Sequence, residues 1–277
     1  MKRANQVFTT IVMLFLYVPM FLLVFSSFND SKDISVFKGF TLNNYAELFA
    51  DSVLLPLLGN SFLIALVSSL VATVLGTAAA IAICRMSPRM RSLVMTVTNI
   101  PMTNPEIVTG VSLALLFAFV GQLLKTQNVL GAATLLIAHI TFNLPYVILS
   151  VMPKLRQMDP SLTDAALDLG CKPLQAFFKV TIHEIMPGII SGALMAFTMS
   201  LDDFVISYFV YGPSFVTLPV EIYNYTKKPL PPKIYALFTL LFFAILALMV
   251  IMNIYQSRDE KRQREKLNKK YRRGQVK

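Results

Sequence analysis

The chain has 277 residues, of which 55% are hydrophobic and only 14% are charged, and its formal net charge is +10. Soluble domains carry about 25% charged residues, so the composition excludes an ordinary soluble domain and indicates a membrane protein. The positive charge does not indicate nucleic-acid binding, because residues 257–277 hold ten of the 25 basic residues against three acidic ones. A basic tail beside a membrane segment is typical of a topology signal that contacts anionic lipid.

Six apolar segments are long enough to cross a bilayer, whose hydrocarbon core requires about 20 apolar residues of helix. We predict a single transmembrane domain over residues 1–256, followed by a basic cytoplasmic tail over 257–277. The predicted spans are about 7–28, 58–84, 92–119, 129–152, 185–210 and 234–256. The first segment is longer than the apolar region of a secretory signal and lacks a small-residue cleavage site, so we expect an uncleaved first helix.

The basic residues orient these spans. Nineteen of the 25 lie at the N-terminus, in the 85–91 and 153–183 loops and in the tail, whereas the three other loops share six. Because cytoplasmic segments are enriched in Lys and Arg, both termini are expected in the cytoplasm. Cys84 and Cys171 then lie on the reducing side of the membrane, so no disulfide is expected.

The third predicted span contains an acid beside two prolines. The sequence T-N-P-E, residues 103–106, places Glu106 directly after Pro105 and close to Pro101. Prolines weaken a helix and free backbone carbonyls, and irregular backbone at membrane depth lines a cavity or is buried in protein. Glu106 is therefore a candidate for a substrate path, and a kink needed only for packing is the alternative.

Motifs of enzyme chemistry are missing from the sequence. It contains no G-x-x-x-x-G-K-[ST] loop for ATP, no H-E-x-x-H and no Cys/His cluster for a metal. His139, in the fourth span, is interpreted as a hydrogen-bonded helix-packing residue, with a proton relay as the alternative. We therefore expect no catalytic residue, no metal site and no cofactor in this chain.

The 153–183 loop has the pattern of a short capped helix. Asp159 is a good N-cap, Pro160 suits the first helical position, and Gly170 suits the C-terminal stop. An apolar stripe lies between them, formed by Leu162, Ala165, Ala166 and Leu169. A second short helix is expected from Pro173 towards the fifth span. A helix of about ten residues is too short to be stable alone. It either lies on the membrane surface or docks into a partner subunit.

The fifth predicted span combines a ridge of small residues with two adjacent acids. The ridge is formed by Gly188, Gly192, Ala196 and Ser200. Small residues let another helix approach closely, and we expect the same span of a companion subunit there. Asp203 lies roughly on the face of the ridge, and Asp202 lies about 100° away. The acids are expected in the outer half of the membrane, and a structural role for one of them is the alternative.

The outer loop that follows, residues 208–233, is rich in Tyr and Pro. Contact with an external binding protein and an aromatic belt at the membrane interface are equally compatible with its composition.

The cytoplasmic loop resembles that of ABC-importer permeases. Asp164, Ala165 and Ala166, with Gly170 after three further residues, are similar to the E-A-A-x-x-x-G pattern of that family. In the family this helix inserts into a cleft of the ATPase subunit. The resemblance therefore implies an ATPase-coupling role for Asp164, Ala165, Ala166, Leu169 and Gly170. Asp164 in place of Glu, and Ile182-His183 in place of a Leu-Pro pair, depart from the family pattern and leave local geometry open.

Further motifs resemble the spermidine/putrescine permeases over nearly the whole chain, and their C-type subunit in particular. They are L-Y-V-P-M (16–20), S-F-N-D-S (27–31), F-T-L-N-N-Y (40–45), N-P-E-I-V (104–108), H-I-T-F-N-L-P (139–145), F-T-M-S-L-D-D (197–203) and G-P-S-F-V-T-L-P (212–219). The resemblance implies an all-α integral membrane fold with six transmembrane helices. This is the binding-protein-dependent ABC importer permease (MetI-like) fold, with a cytoplasmic coupling helix, in the bacterial plasma (inner) membrane.

The resemblance also implies the partners and the cargo. The partners are a homologous permease, two copies of an ATPase that bind ATP and Mg²⁺, an extracytoplasmic polyamine-binding protein and membrane lipid. A polyamine needs carboxylates for its ammonium groups and aromatic faces for its methylenes. The candidate substrate-path residues are therefore Asp203, which we favour, Asp202 and Glu106.

Three alternatives to a polyamine importer stay open. The same architecture could carry another cationic or small solute, although anions are disfavoured because the spans contain no basic residue that would bind them. An ion-coupled secondary transporter would show a repeat of its helices, which the sequence lacks. A channel-like or scaffold protein would have no use for the cytoplasmic helix. The sequence does not distinguish spermidine from putrescine.

Overall fold

The computed structural model describes residues 2–31, 36–126, 129–159, 161–227 and 230–274, with the backbone alone at 2–5, 252, 255–256 and 258–274. Six helices in this part of the chain are long and apolar enough to cross a membrane, which confirms the predicted number of spans. The helices are α1 (Lys2–Ser27), α2 (Asn43–Phe49), α3 (Leu54–Arg85), α4 (Pro88–Thr103), α5 (Glu106–Leu123), α6 (Ala132–Gln157), α7 (Ser161–Asp168), α8 (Pro173–Ala176), a π-helical turn (Phe177–Thr181), α9 (Ile182–Asp202), α10 (Val205–Val210), α11 (Leu218–Thr226) and α12 (Pro232–Gly274).

The predicted bounds of the third and fifth spans are wrong. Asn104 and Pro105 divide the predicted third span into α4 and α5, and the membrane-length segment begins at Glu106. The residue before a proline is forced towards extended backbone, and Asn104 has a ψ of 144°. The fifth span begins earlier, at Pro173, and ends at Asp202, because Asp203 has an extended backbone with a ψ of 117°.

The described helices form two compact units, and the first comprises residues 1–58 and 221–249. In this unit the chain folds back on the end of α1. Asn44 on α2 donates from Nδ2 to the carbonyl oxygens of Ser27 and Asn29, at 2.9 and 3.0 Å. The rings of Phe28 and Phe40 stack with their centroids 5.0 Å apart. Buried amide hydrogen bonds and a stacked ring pair therefore hold the segment after α1 in place.

The second unit comprises residues 59–220 and 250–277, and the packing of α9 on α6 forms its centre. The buried face of α9 carries the predicted ridge of small residues. A Cβ atom at Gly188 would lie 2.9 Å from the carbonyl oxygen of Ser150, and one at Gly192 would lie 3.2 Å from Cα of Val147. The ridge therefore lets α6 approach α9 at backbone distance.

This packing corrects the expected partner of the ridge. We predicted that the fifth span of a companion subunit would cover Gly188, Gly192, Ala196 and Ser200, but α6 of the same chain covers this face. The spacing of small residues specifies a close helix contact, whichever helix makes it. In this fold α6 occupies that face.

Candidate functional site

The fifth span breaks at the two adjacent aspartates. Asp202 is the last residue of α9, and Asp203 has extended backbone before α10 begins at Val205. The Asp203 carboxylate accepts hydrogen bonds from the backbone N–H of Ile206 at 3.2 Å and of Ser207 at 2.8 Å. It also accepts one from the Ser207 hydroxyl at 2.8 Å. Asp203 thus satisfies N–H groups that the start of α10 would otherwise leave without partners.

His139 on α6 links the two sides of this break. Its Nδ1 lies 2.5 Å from Oγ of Ser200 on α9, and its Nε2 lies 2.9 Å from Oγ of Ser207 on α10. Nε2 also lies 3.4 Å from the Asp203 carboxylate. Ser200 in turn lies 3.0 Å from Oγ of Ser68 on α3. His139 is buried in these contacts, which confirms the prediction of a hydrogen-bonded packing residue.

The two aspartates have opposite environments. Asp203 is only 8% exposed, whereas Asp202 lies on the exposed surface of the chain. The sequence analysis placed Asp203 on the helix face of Ser200, but Asp203 lies beyond the end of α9, and both residues are buried. A role in a substrate path stays a prediction for both residues, and the difference in exposure shifts our preference from Asp203 to Asp202.

Aromatic rings follow directly after the acids. Phe204 and Tyr208 have ring centroids 5.5 Å apart, and Tyr208 lies 5.6 Å from Phe209 and 6.2 Å from Tyr211. Tyr208 is 37% exposed. An exposed carboxylate and a row of aromatic faces on one short segment are the groups that bind a chain of methylenes with ammonium ends.

Glu106 is the first residue of α5 and is exposed. It lies one helical turn before Gly110, where an added Cβ would lie 3.4 Å from Cα of Ile206 and 2.8 Å from the ring of Phe209. Residues one turn apart share a helix face, so Glu106 lies on the side of α5 that packs on α10. Glu106 therefore lies one helical turn from the contact that Gly110 makes with α10.

The described residues of the 153–183 loop form the predicted capped helix. The Asp159 carboxylate accepts from the backbone N–H of Ser161 at 3.1 Å and from its hydroxyl at 2.8 Å. Pro160 lies outside the described residues. At the other end Gly170 has a φ of +84°, and the N–H groups of Gly170 and Cys171 donate to the carbonyl oxygens of Leu167 and Ala166. This pair of bonds is the Schellman motif, which ends a helix at a glycine.

The predicted coupling residues divide between two faces of α7. Ala166 is buried against the rest of the loop, whereas Asp164 and Ala165 are exposed. Leu169 is 86% exposed, and Leu174 and Phe178 on the following helical segment are also exposed. The small helix α7, which is capped at both ends, is therefore followed by one large exposed apolar side chain, Leu169, that lies outside the membrane spans.

The buried hydrogen-bond network around His139 is the part of this site that the sequence analysis missed. Ser68, Asn143, Ser200 and Ser207 are all buried at the break. For Ser207 the sequence D-F-V-I-S (203–207) does contain a local signal. Its Asp203 lies three residues before a free backbone N–H, and this spacing is an N-cap pattern. The long-range partner His139 has no local signal.

Six membrane-length helices in the described residues define the class of this protein, a multi-pass membrane protein. The profile of the family described as "Binding-protein-dependent transport system inner membrane component" matches residues 72–265. The chain is 40% identical over 232 residues to the putrescine transport system permease protein PotI of Escherichia coli (strain K12), and the aligned region covers 83% of each chain. It is 36% identical over 250 residues to the spermidine/putrescine transport system permease protein PotC of Haemophilus influenzae, covering 90% of this chain and 95% of that one.

Solved structures show the same fold. A bacterial ABC transporter involved in the import of the acidic polysaccharide alginate has a chain with a TM-score of 0.69 at 15% identity, covering 93% of this chain and 94% of that one. The MetNI methionine ABC transporter has a chain with a TM-score of 0.54 at 16% identity, covering 76% and 94%. The chain belongs to the family of binding-protein-dependent transport system inner membrane components, the permease subunits of ABC importers. It is a transport subunit and not an enzyme.

Proposed function

We propose that the cargo of this permease is a polyamine of the putrescine and spermidine class. The observation that carries the proposal is the exposed Asp202 at a helix break, followed by the aromatic row of Phe204, Tyr208 and Tyr211. The names of the relatives, which are putrescine and spermidine/putrescine permeases, support the same cargo.

Asp202 and Glu106 are the acids proposed to meet the cargo. An exposed side chain of a membrane span faces lipid, another subunit or an aqueous path. A carboxylate in lipid costs at least about 2.5 kcal/mol, and intramembrane acids generally face a bundle interior or a cavity. Carboxylates on α5 and α9 would hold the ammonium groups, while the aromatic rings would contact the methylenes. Asp203, which is buried at the break, would hold the backbone of this site in place through its hydrogen bonds to the start of α10.

The proposed assembly contains a homologous permease, two copies of an ATPase that binds ATP and Mg²⁺, and an extracytoplasmic binding protein. Both termini and the α7 loop lie on the cytoplasmic side in this proposal, with the basic tail against anionic lipid. The exposed apolar side chain of Leu169, which lies outside the membrane spans, supports docking of the loop into the ATPase. Closure of the ATPases would move α7 and switch the bundle between outward- and inward-open states.

The experiment that tests this function is uptake by the assembled transporter. The chain is purified with its companion permease, ATPase and binding protein and reconstituted in liposomes, and ATP-dependent uptake of radiolabelled putrescine and spermidine is measured. Unlabelled diamines, basic amino acids, Mg²⁺ and neutral sugars serve as competitors. We expect competition by diamines alone. If Mg²⁺ or a basic amino acid abolishes the labelled uptake and unlabelled diamines do not, the proposed cargo is wrong.

A further inference from the structure

A single line of buried hydrogen bonds runs from α3 to the Asp203 carboxylate. Its members come from four helices and from the break, and each is at most 8% exposed: Ser68, His139, Asn143, Ser200, Asp203 and Ser207. Hydrogen bonds in such a buried line polarise one another. Oδ1 of Asn143, at the far end of the line, has no hydrogen-bond partner among the described residues.

The donor and acceptor character of each group determines which group donates in each hydrogen bond of this line. A carboxylate only accepts, so Ser207 donates its hydroxyl proton to Asp203 at 2.8 Å. The Ser207 oxygen is then the acceptor for Nε2–H of His139 at 2.9 Å. In the neutral ring the other nitrogen accepts, so Nδ1 takes the Ser200 hydroxyl proton at 2.5 Å.

The line continues in the same direction beyond Ser200. Because Ser200 has donated its one proton to His139, its oxygen accepts from the Ser68 hydroxyl at 3.0 Å. The amide nitrogen of Asn143 lies 3.5 Å from Ser68 Oγ, behind the last hydroxyl. Every dipole therefore points towards the negative charge of Asp203, an arrangement in which hydrogen bonds strengthen one another.

His139 is the member of this line that crosses the break. Ser200 lies in the last turn of α9, and Ser207 lies in α10. The helix that ends at the break starts in the cytoplasmic loop, since the helical segment Pro173–Asp202 is continuous over 30 residues, about 45 Å at 1.5 Å per residue. A displacement of this segment would therefore move Ser200 relative to Ser207, and His139 contacts both.

We propose that His139 is a positioning residue for transport: by tying Ser200 to Ser207 across the break, it fixes the angle between α9 and α10 and so the direction of the exposed Asp202 carboxylate. The proposal rests on the proposed function, in which Asp202 meets the cargo. His139 itself touches no cargo, because its ring is buried.

The test replaces His139 in the complete reconstituted transporter. His139→Leu removes both ring hydrogen bonds, whereas His139→Asn can keep the one at Nδ1 and His139→Gln the one at Nε2. The control is Thr134→Val, which removes a bond of similar length between α6 and the other end of α10, at the carbonyl oxygen of Val210, together with the bonds between Thr134 and Gly131 at the start of α6. Thr134 is equally buried.

Two readouts separate positioning from simple support of the fold. The first is KM and kcat of putrescine uptake per assembled complex. The second is the rate at which a positively charged methanethiosulfonate modifies Asp202→Cys, in a chain carrying Cys84→Ser and Cys171→Ser and with cysteine-free partners. We expect His139→Leu to raise KM at least tenfold and to change the modification rate at least threefold. The Asn and Gln variants should lie between it and the wild type, and Thr134→Val should change neither value.

The two proposals fail in different ways. If His139→Leu lowers only the yield of complex, and KM and the modification rate stay at their wild-type values, His139 supports the fold and the positioning role is wrong. An equal effect of Thr134→Val would also overturn it. If the wild type takes up no polyamine while the modification rates still differ as expected, the positioning role stands and the proposed cargo is wrong.

Discussion

At the scale of single residues, two neighbouring aspartates have different environments because a helix ends between them. In a continuous helix Asp202 and Asp203 would project about 100° apart from one cylinder. The extended backbone of Asp203 instead turns its carboxylate towards the first N–H groups of α10, and leaves Asp202 on the surface. Removal of one buried partner of such a charge-assisted bond costs about 1–3 kcal/mol. The hydrogen bonds of Asp203 therefore help to hold the break, and a role in a substrate path stays a prediction for both acids.

A second pair of charged residues gives a pH prediction. Lys233 Nζ lies 2.5 Å from Asp51 Oδ2, and the backbone N–H groups of Val53 and Leu54 also donate to this carboxylate. The hydrogen bond from Lys233 is the largest cause that lowers the pKa of Asp51 below its ordinary value. A carboxyl group with a lowered folded-state pKa stabilises the fold above its unfolded pKa, about 3.9, and this stabilisation is lost as the pH falls through the folded value.

We therefore expect Asp51→Asn to lower the melting temperature of the purified complex at pH 5 to 8 by a constant amount. Below about pH 4, near the unfolded-state pKa of an aspartate, the difference from the wild type should shrink. Thermal unfolding followed by intrinsic tyrosine fluorescence across pH 3 to 8 measures it. A difference that grows as the pH falls would contradict the assigned ion pair.

At the scale of helices, the features that could be predicted from the sequence are those that depend on residues close together in the chain. The number of spans follows from runs of apolar residues, and the ends of α7 follow from Asp159 and Gly170, whose capping bonds are local. The break before α5 follows from Pro105. The break after α9 was missed because neither Pro nor Gly lies between Asp202 and Val205, and a contact with His139, 61 residues before Ser200, helps to hold it.

The ridge on α9 gives a prediction for helix packing. An added Cβ at Gly188 would lie 2.9 Å from the Ser150 carbonyl oxygen, so Gly188→Ala must push α9 away from α6. Forcing an extra methyl group into a packed site costs about 1–3 kcal/mol. We expect a lower melting temperature of the complex, measured by differential scanning fluorimetry. Gly59→Ala in α3, where nothing lies within 4 Å, is the control and should not destabilise. Equal stability of the two variants would refute the α6–α9 contact.

The α7 loop gives a prediction for assembly. Leu169 is 86% exposed, so Leu169→Asp should leave the fold of this chain unchanged but place a charge on the proposed ATPase-docking surface. We expect at least a tenfold loss of ATPase recovered by affinity purification through this chain. Asp164→Glu, which keeps the charge, should retain the ATPase. Full recovery with Leu169→Asp would exclude this side chain from the contact.

At the scale of the whole molecule, the distribution of basic residues and the even number of spans describe the same topology. Six spans require both termini on one side, and the Lys and Arg bias indicates that this side is the cytoplasm. We expect green fluorescent protein to be fluorescent, and alkaline phosphatase inactive, when fused to either terminus in intact bacteria. Active phosphatase at one terminus would contradict six spans.

The central claim is that Asp202 meets a polyamine on its way through the membrane, and uptake by the reconstituted complex tests it most directly. Asp202→Asn should assemble and bind ATPase normally but take up putrescine at least tenfold more slowly, a loss of about 1.4 kcal/mol. Asp202→Glu, which restores the charge, should recover part of the rate. Wild-type uptake by Asp202→Asn in a fully assembled complex would contradict the account.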